Sequence, residues 1–431
     1  MTGALCVAAF AVDERYKLRK NPCCPERKSS KRTESFLRRN EKSGAWRLKK
    51  KLEKGIQLMK NSIKLLAAAV AAATALDASA AQIYSKDDTT LDVTGLVEAV
   101  YFDGNNGYVE GAPSDSTIGN RARFGLEGRT KIASGIYGFG KFEHQWQNNG
   151  DSSGSGESTR DQYVGVDFGQ GGVIKAGRFL PNEYKVESVT DVFERNGGYG
   201  EQYGARVSGL INYEISYAGF SAALEYQSAT NNAQFDAGNY EVDADHGFSA
   251  VLGYTSPAVL FGPIGVQLSA GYEKFQDDAI SDATPSRVDE DKKEKDYGYL
   301  DKASDFGVSL SWGTYGSGLY LASFYEQRKC EAYDAYNARK GDNDLTVKSS
   351  ESLVAYSFAN GVTLHASYQW KDYSPDDDDG SVSSIYRKVP LMVAWDLNPN
   401  FRVWGTDIID AGSSDDIDDH NLVEIGARYI F

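Results

Sequence analysis

From Leu91 to Phe431 the chain alternates apolar with polar or small residues in stretches of about ten, a period of two that belongs to strands and not to helices. In RARFGLEGRT (121–130), Arg121, Arg123, Gly125, Glu127 and Arg129 share one face, while Ala122, Phe124 and Leu126 occupy the other. Counting such stretches predicts sixteen strands: 89–103, 119–130, 136–147, 158–168, 172–179, 204–217, 220–227, 247–256, 264–275, 303–313, 318–327, 348–358, 361–372, 384–396, 400–410 and 421–431. Short joints such as KIASG and GQGG alternate with longer acidic loops rich in Gly, Ser and Asn, such as NNGDSSGSGE. An even count, strands of about 9–11 residues and alternating short and long joints predict an all-β fold, a transmembrane antiparallel barrel. The last stretch, VEIGARYIF, sets Val423, Ile425, Ala427, Tyr429 and Phe431 toward lipid and Glu424, Gly426 and Arg428 toward water.

Aromatic residues agree with this reading. Tyr101, Phe102, Tyr217, Phe220, Tyr254, Tyr272, Tyr320, Tyr368 and Tyr429 fall near predicted strand ends, where a bilayer interface holds amphipathic rings. A soluble sandwich is the competing fold. Its core would not place Arg121, Arg123, Arg206 and Glu424 on inward faces, and residues 89–431 contain no domain-scale linker.

Composition changes the picture mainly at the N-terminus. The longest apolar run, Leu65 to Leu76, has 12 residues, short of the roughly 20 a spanning helix needs. With Met59, Lys60 and Lys64 before it and Ala78-Ser79-Ala80 after it, the run reads as a secretory signal peptide over 59–80, cleaved after Ala80. Residues 1–58 hold 16 Lys and Arg against 6 Asp and Glu and show no periodicity. They read as a non-native upstream extension, with Met59 the true start. The codons for Lys54-Gly55 are purine-rich, as a bacterial ribosome-binding site just ahead of Met59 would be. Residues 81–431 then form the barrel. The net charge of −15 becomes −26 once the extension (+10) and the signal (+1) are removed, which argues against a nucleic-acid partner. Of the four cysteines only Cys330, in what reads as a charged loop, survives cleavage, and one cysteine makes no internal disulfide.

Several motifs in matching order make the chain resemble the general trimeric porins of Gram-negative outer membranes: AQIYSKDDTTLDVTGLVEAVYF (81–102), NRARFGLEGRTKI, STRDQYVGVDFG, AGR followed by a long insertion, and the terminal aromatic strand. The resemblance spans essentially all of 81–431. It implies a sixteen-stranded barrel, a homotrimer, and a third long loop, here about 180–203, folded into the lumen. Tyr184, Val186, Val189, Val192 and Phe193 supply that loop with apolar anchors. Matched motif to motif, the pore constriction is Arg123, Arg160 and Arg206 on the wall against Asp191 and Glu194 on the loop, with Arg121, Tyr184, Glu183 and Glu187 as secondary lumen or loop positions. Facing rows of opposite charge set up a transverse field that favours hydrophilic solutes. The chain departs from the family at Leu96, often basic there, at Glu194-Arg195-Asn196 in place of Pro-Glu-Phe, and at Lys185, often acidic. The resemblance also implies outer-membrane lipid, lipopolysaccharide and the barrel-assembly machinery as partners, with Phe431 as the assembly signal. The negative charge favours cations weakly, although much of it lies in loops such as SPDDDDG (374–380) and DEDKKEKD (289–296). The tetra-aspartate run reads as a solvated loop, with Mg²⁺ or Ca²⁺ binding beside lipopolysaccharide as its alternative.

Catalytic chemistry is not expected. The mature chain has only His144, His246, His365 and His420, none in a Ser/His/Asp arrangement, and no metal or cofactor spacing. A sugar-specific channel is the other candidate, but strand parity does not put Trp146, Trp312, Trp370, Trp395 and Trp404 on one inner track.

Overall fold

The computed structural model describes residues 81–104, 116–149, 156–194, 198, 200–235, 240–276, 299–334, 339–340, 344–375, 384–413 and 421–431. The upstream extension, the signal segment, His420, the tetra-aspartate run and DEDKKEKD lie outside them. The barrel strands are β1 (Thr89–Gly104), β2 (Thr117–Ala133), β3 (Ile136–Asn148), β4 (Gly156–Asp167), β5 (Val173–Phe179), β6 (Val207–Tyr217), β7 (Phe220–Gln227) and β8 (Tyr240–Thr255). They continue with β9 (Ile264–Phe275), β10 (Tyr299–Thr314), β11 (Ser317–Asp334), β12 (Leu345–Ser357), β13 (Val362–Pro375), β14 (Ser384–Asn398), β15 (Phe401–Asp410) and β16 (Leu422–Ile430).

Each strand pairs antiparallel with the next, and β16 pairs with β1 from Leu422↔Gly104 to Ile430↔Leu96. Beyond that ladder, Gly95 N donates to Phe431 O at 2.8 Å and Phe431 N to Gly95 O at 2.9 Å. The sixteen strands therefore close on themselves. In hydrocarbon an unpaired backbone group costs several kcal/mol, so closure is what makes a sheet tolerable there. Among the described residues three shorter strands decorate the barrel: Ala81–Lys86, Thr230–Phe235 and Arg339–Lys340. The first folds back on β1 through Asp87 and Asp88, both left-handed (φ 50° and 57°), as a tight hairpin of this twist demands.

The faces alternate as the period of two requires. Val97, Tyr101, Ile118, Phe124, Val423, Ile425 and Tyr429 are exposed on the outside, while Leu96, Glu98, Val100, Arg121, Glu424 and Gly426 are enclosed on the inside. Two aromatics expected in the interfacial belt point inward instead. Phe102 is fully buried against Val100, Met392, Trp404, Ile408 and Leu422, and Tyr320 packs with Ala322, Leu353 and Ala355. Both occupy inward parity, which a reading by position along the strand overlooked. Cys330, expected in a charged loop, is buried within β11, because β11 runs seven residues past its expected end at 327. Arg206 lies just before β6 and not inside it.

Aromatic rings cover glycines on the inner wall. A Cβ at Gly426 would sit 2.1 Å from Trp404 Cζ2, directly across the β15–β16 ladder. Gly426→Val should displace Trp404 and cost about 1–3 kcal/mol by overpacking. The expected result is a lower urea midpoint for unfolding from phospholipid vesicles; an unchanged midpoint would show that the ring is not seated there.

Candidate pore constriction

The described residues of the connection from β5 to β6, residues 180–206, contain one short helix, α1 (Tyr184–Glu187), and lie against inward-facing side chains of distant strands. On its outgoing limb Asn182 N donates to Glu225 Oε1 (3.2 Å), Asn212 Nδ2 to Asn182 Oδ1 (2.6 Å), and Gln267 Nε2 to the Lys185 carbonyl (2.8 Å). Lys185 Nζ pairs with Glu214 at 2.8 Å. Farther along, Tyr320 Oη donates to the Val189 carbonyl (2.8 Å), and Val189, Val192 and Phe193 pack on the Tyr320–Leu353–Ala355 cluster. On the return limb Gln202 Nε2 donates to Ser349 Oγ (2.8 Å) and Lys371 Nζ to the Glu201 carbonyl. These partners belong to β6, β7, β9, β11, β12 and β13, so the loop crosses the lumen and lines that side of the wall.

Glu187 ties the two limbs together. Its buried carboxylate accepts the Tyr203 N–H at 3.0 Å and that of Gln202. Burial pushes its pKa up to about 7, against the pull of those two N–H groups. Glu183 is likewise buried, and its pKa is raised well above the ordinary value by burial, with Asp305 and Glu225 adding to the rise. Both carboxyl groups are thus enclosed by protein in the structure.

The wall opposite carries the arginines. Arg123 Nε donates to Gln145 Oε1 (2.7 Å), its direct cross-strand partner; Arg160 Nε pairs with Glu143 (2.6 Å) and Arg206 Nε with Asp161 (2.8 Å). With Arg121 they lie within one another's electrostatic field. Asp191, on the loop, stays solvent-exposed and accepts a hydrogen bond from Tyr184 Oη. Enclosure by the surrounding wall raises its carboxyl pKa, the Tyr184 hydrogen bond opposes this, Glu194 adds to the rise, and Arg160 and Arg206 pull it down. The fold thus brings Arg160, Arg206 and Asp191 into electrostatic contact, with Arg123 beside them.

Glu194 goes elsewhere. Its two oxygens lie 2.5 Å from Arg402 Nη1 and 2.5 Å from Arg428 Nη1. Arg402 and Arg428 are directly opposite each other in the β15–β16 ladder, and like charges so placed repel. Glu194 bridges them. On either side Glu98 holds Arg428 (2.5 Å) and Arg121 (2.9 Å), and Asp396 holds Arg402 (2.6 Å), giving an alternating row Arg121–Glu98–Arg428–Glu194–Arg402–Asp396. Sequence reading did not single out Glu98, Arg402 and Arg428, which the structure joins to Glu194 in this row. Their inward parity was readable; their adjacency needed the register of the closing seam.

Among the described residues no group of three or more His, Cys, Asp or Glu is arranged to hold a metal ion. His365 is buried, with Nε2 2.8 Å from Tyr315 Oη.

A pH dependence follows from Glu187. Between its unfolded value near 4.5 and its folded value of about 7, the folded state holds more proton than the unfolded one. Stability should therefore fall as pH rises through that window, by up to about 3 kcal/mol. Thermal unfolding in phospholipid vesicles between pH 4.5 and 8 checks this: the midpoint should decline for the parent protein and decline less for Glu187→Gln.

Comparisons with known proteins place these features. Residues 86–431 match the family model described as Gram-negative porin. The outer membrane porin PhoE of Klebsiella oxytoca is 26% identical over 388 residues, covering 87% of this chain and 100% of the relative. Outer membrane porin C of Serratia marcescens is 27% identical over 393 residues, covering 82% and 95%. Among solved structures, an OmpF complex with daunomycin from Salmonella typhi superposes with a TM-score of 0.63 at 19% identity, covering 81% of this chain and 100% of that one. An anion-selective porin from Comamonas acidovorans gives 0.57 at 17% identity, covering 80% and 100%. A closed sixteen-stranded barrel, a long loop drawn against its inner wall and a family match running through to Phe431 lead to one conclusion: the chain belongs to the Gram-negative porin family, the channel-forming barrels of the outer membrane.

Proposed function

We propose that the mature chain forms a water-filled channel for passive diffusion of small hydrophilic solutes and ions, assembled as a homotrimer. The observation that carries this reading is the loop over 180–206, anchored along one side of the lumen with Asp191 facing the Arg160–Arg206 wall. Arg123, Arg160 and Arg206 form the basic side of the constriction and Asp191 the acidic side. Such a field orients water and dipolar solutes and leaves apolar solutes to lose hydration without compensation. Glu194 serves as the tether of the loop tip, clamped between Arg402 and Arg428, and Glu183 and Glu187 hold the loop base. Arg121 is engaged by Glu98.

Ion preference is weakly toward cations, supported by the mature charge of −26. The fold does not set its sign, since an anion-selective porin shares the architecture. The signal at 59–80 directs export and is then cleaved off, with residues 1–58 an upstream extension. Phe431, paired with Gly95 at the seam, is the recognition signal for the assembly machinery, and lipopolysaccharide surrounds the outer leaflet. The alternative, a sugar-specific channel, finds less support: Trp146 and Trp395 are exposed outside, and Trp404 is packed within the wall.

Reversal potentials under a salt gradient separate the two loop acids. Asp191→Asn should lower the cation-to-anion permeability ratio by about two-fold, equivalent to roughly 0.4 kcal/mol of lost attraction. Glu194→Gln should chiefly raise open-channel noise by releasing the loop tip. No change in selectivity for Asp191→Asn would place the constriction on other residues. In liposome swelling, rates should fall smoothly with sugar size; a sharp preference for one sugar over its isomers would instead identify a substrate-specific channel.

A further inference from the structure

The joint between β8 and β9, SPAVLFGP (256–263), departs from the others at its end of the barrel. Of the other joints there, Ser134-Gly135, Ala218-Gly219 and Pro399-Asn400 are short and small or polar, and those with an exposed apolar ring hold a single one, Phe168 in 168–172 and Phe358 in 358–361, where this joint exposes three consecutive apolar residues. By the porin arrangement this is the periplasmic end. Residues 256–263 carry no charge, and at their tip Leu260 is 88% exposed, with Val259 and Phe261 also exposed.

This exposure is built in. Val259 N donates to the Gly262 carbonyl (2.8 Å) and Gly262 N to the Val259 carbonyl (3.3 Å), closing a two-residue hairpin. Trp312 Nε1 donates to the Val259 carbonyl (2.9 Å), Phe261 stacks on Trp312 with ring centroids 4.4 Å apart, and Gly313 N donates to the Pro263 carbonyl (3.0 Å). Leu260 is left-handed, with φ +58°, at the turn position where glycine is favoured. A leucine there carries backbone strain and offers its side chain to the surroundings. Local conformation and water contact both disfavour it, and such a conflict marks a site selected for something else.

The direction of the turn says what that is. Trp312 shares its face with Leu310, and its ladder partner Ile264 shares a face with Val266 and Leu268; Leu310, Val266 and Leu268 are exposed on the lipid-facing wall. By stacking on Trp312, the turn folds outward and extends that apolar wall past the end of the strands. We infer that residues 257–261 form a membrane anchor seated in the headgroup–acyl boundary of the periplasmic leaflet, with Leu260 inserted among the lipid chains and Trp312 and Phe261 at the interface. The inference requires the barrel to span the membrane but is independent of what the pore conducts.

Two measurements on the full mature chain in phosphatidylethanolamine–phosphatidylglycerol vesicles test it. In a Cys330→Ser background, a nitroxide at Leu260→Cys should collide several-fold more with oxygen than with an aqueous nickel chelate, while one at Ser134→Cys should show the reverse. Equal nickel access at both positions would overturn the proposal. So would protection at 260 that appears only when a soluble periplasmic extract is added, which would indicate a protein partner. Leu260→Gly relaxes the positive-φ backbone and removes the apolar side chain. A lipid anchor predicts a lower urea midpoint for this variant. A solvated turn predicts an equal or higher one, and that result would contradict the assignment.

Discussion

A backbone hydrogen bond has no substitute inside hydrocarbon, and the rest of this molecule depends on that constraint. It forces β16 to find β1, and the seam they form brings together residues more than three hundred positions apart. The two bonds between Gly95 and Phe431 finish the ladder at the very last residue. Closure also determines what faces what. Once the register is set, Glu98 lies between Arg121 and Arg428, and Arg402 lies opposite Arg428. The charge row at the seam is therefore a consequence of closing the barrel, and the loop acid Glu194 resolves the repulsion that closure creates.

The lumen is stabilised by a different balance. A loop drawn into a barrel gives up water on one side and must find replacements for its polar groups. Here the replacements are specific: wall side chains reach the carbonyls of Lys185, Val189 and Glu201, and Glu187 accepts the two N–H groups that turn the chain back. Enclosing so many acids behind the loop raises their proton affinity, and Glu187, at about 7, stands where modest changes of pH alter its charge. On the other side of the gap Arg160 pairs with Glu143 and Arg206 with Asp161, leaving Asp191 as the loop carboxylate still open to solvent.

Much of the fold was legible in the sequence because a period of two is read residue by residue. The strands, their faces and the inward arginines of β2 came from that pattern alone. Strand ends were less legible, since the alternation at the top of β11 is polar and looked like loop; this is how Cys330 was misplaced. Phe102 and Tyr320 were assigned to the lipid belt from their positions along their strands, whereas parity puts both inside. The seam residues were the hardest. Nothing local marks Arg402 and Arg428 as partners of Glu194, because their proximity is created by register between strands and by a loop that arrives from across the barrel. Family likeness pointed to an acid near position 194 and was silent on what it would grip.

The central claim is that the loop over 180–206 lies within the channel and sets its width. Single-channel conductance in planar bilayers, comparing the mature protein with a variant in which residues 188–200 are replaced by a short glycine linker, tests this most directly. The account predicts discrete ohmic steps for both, several-fold larger in the variant. Steps of equal size would place the loop outside the conducting path and contradict it.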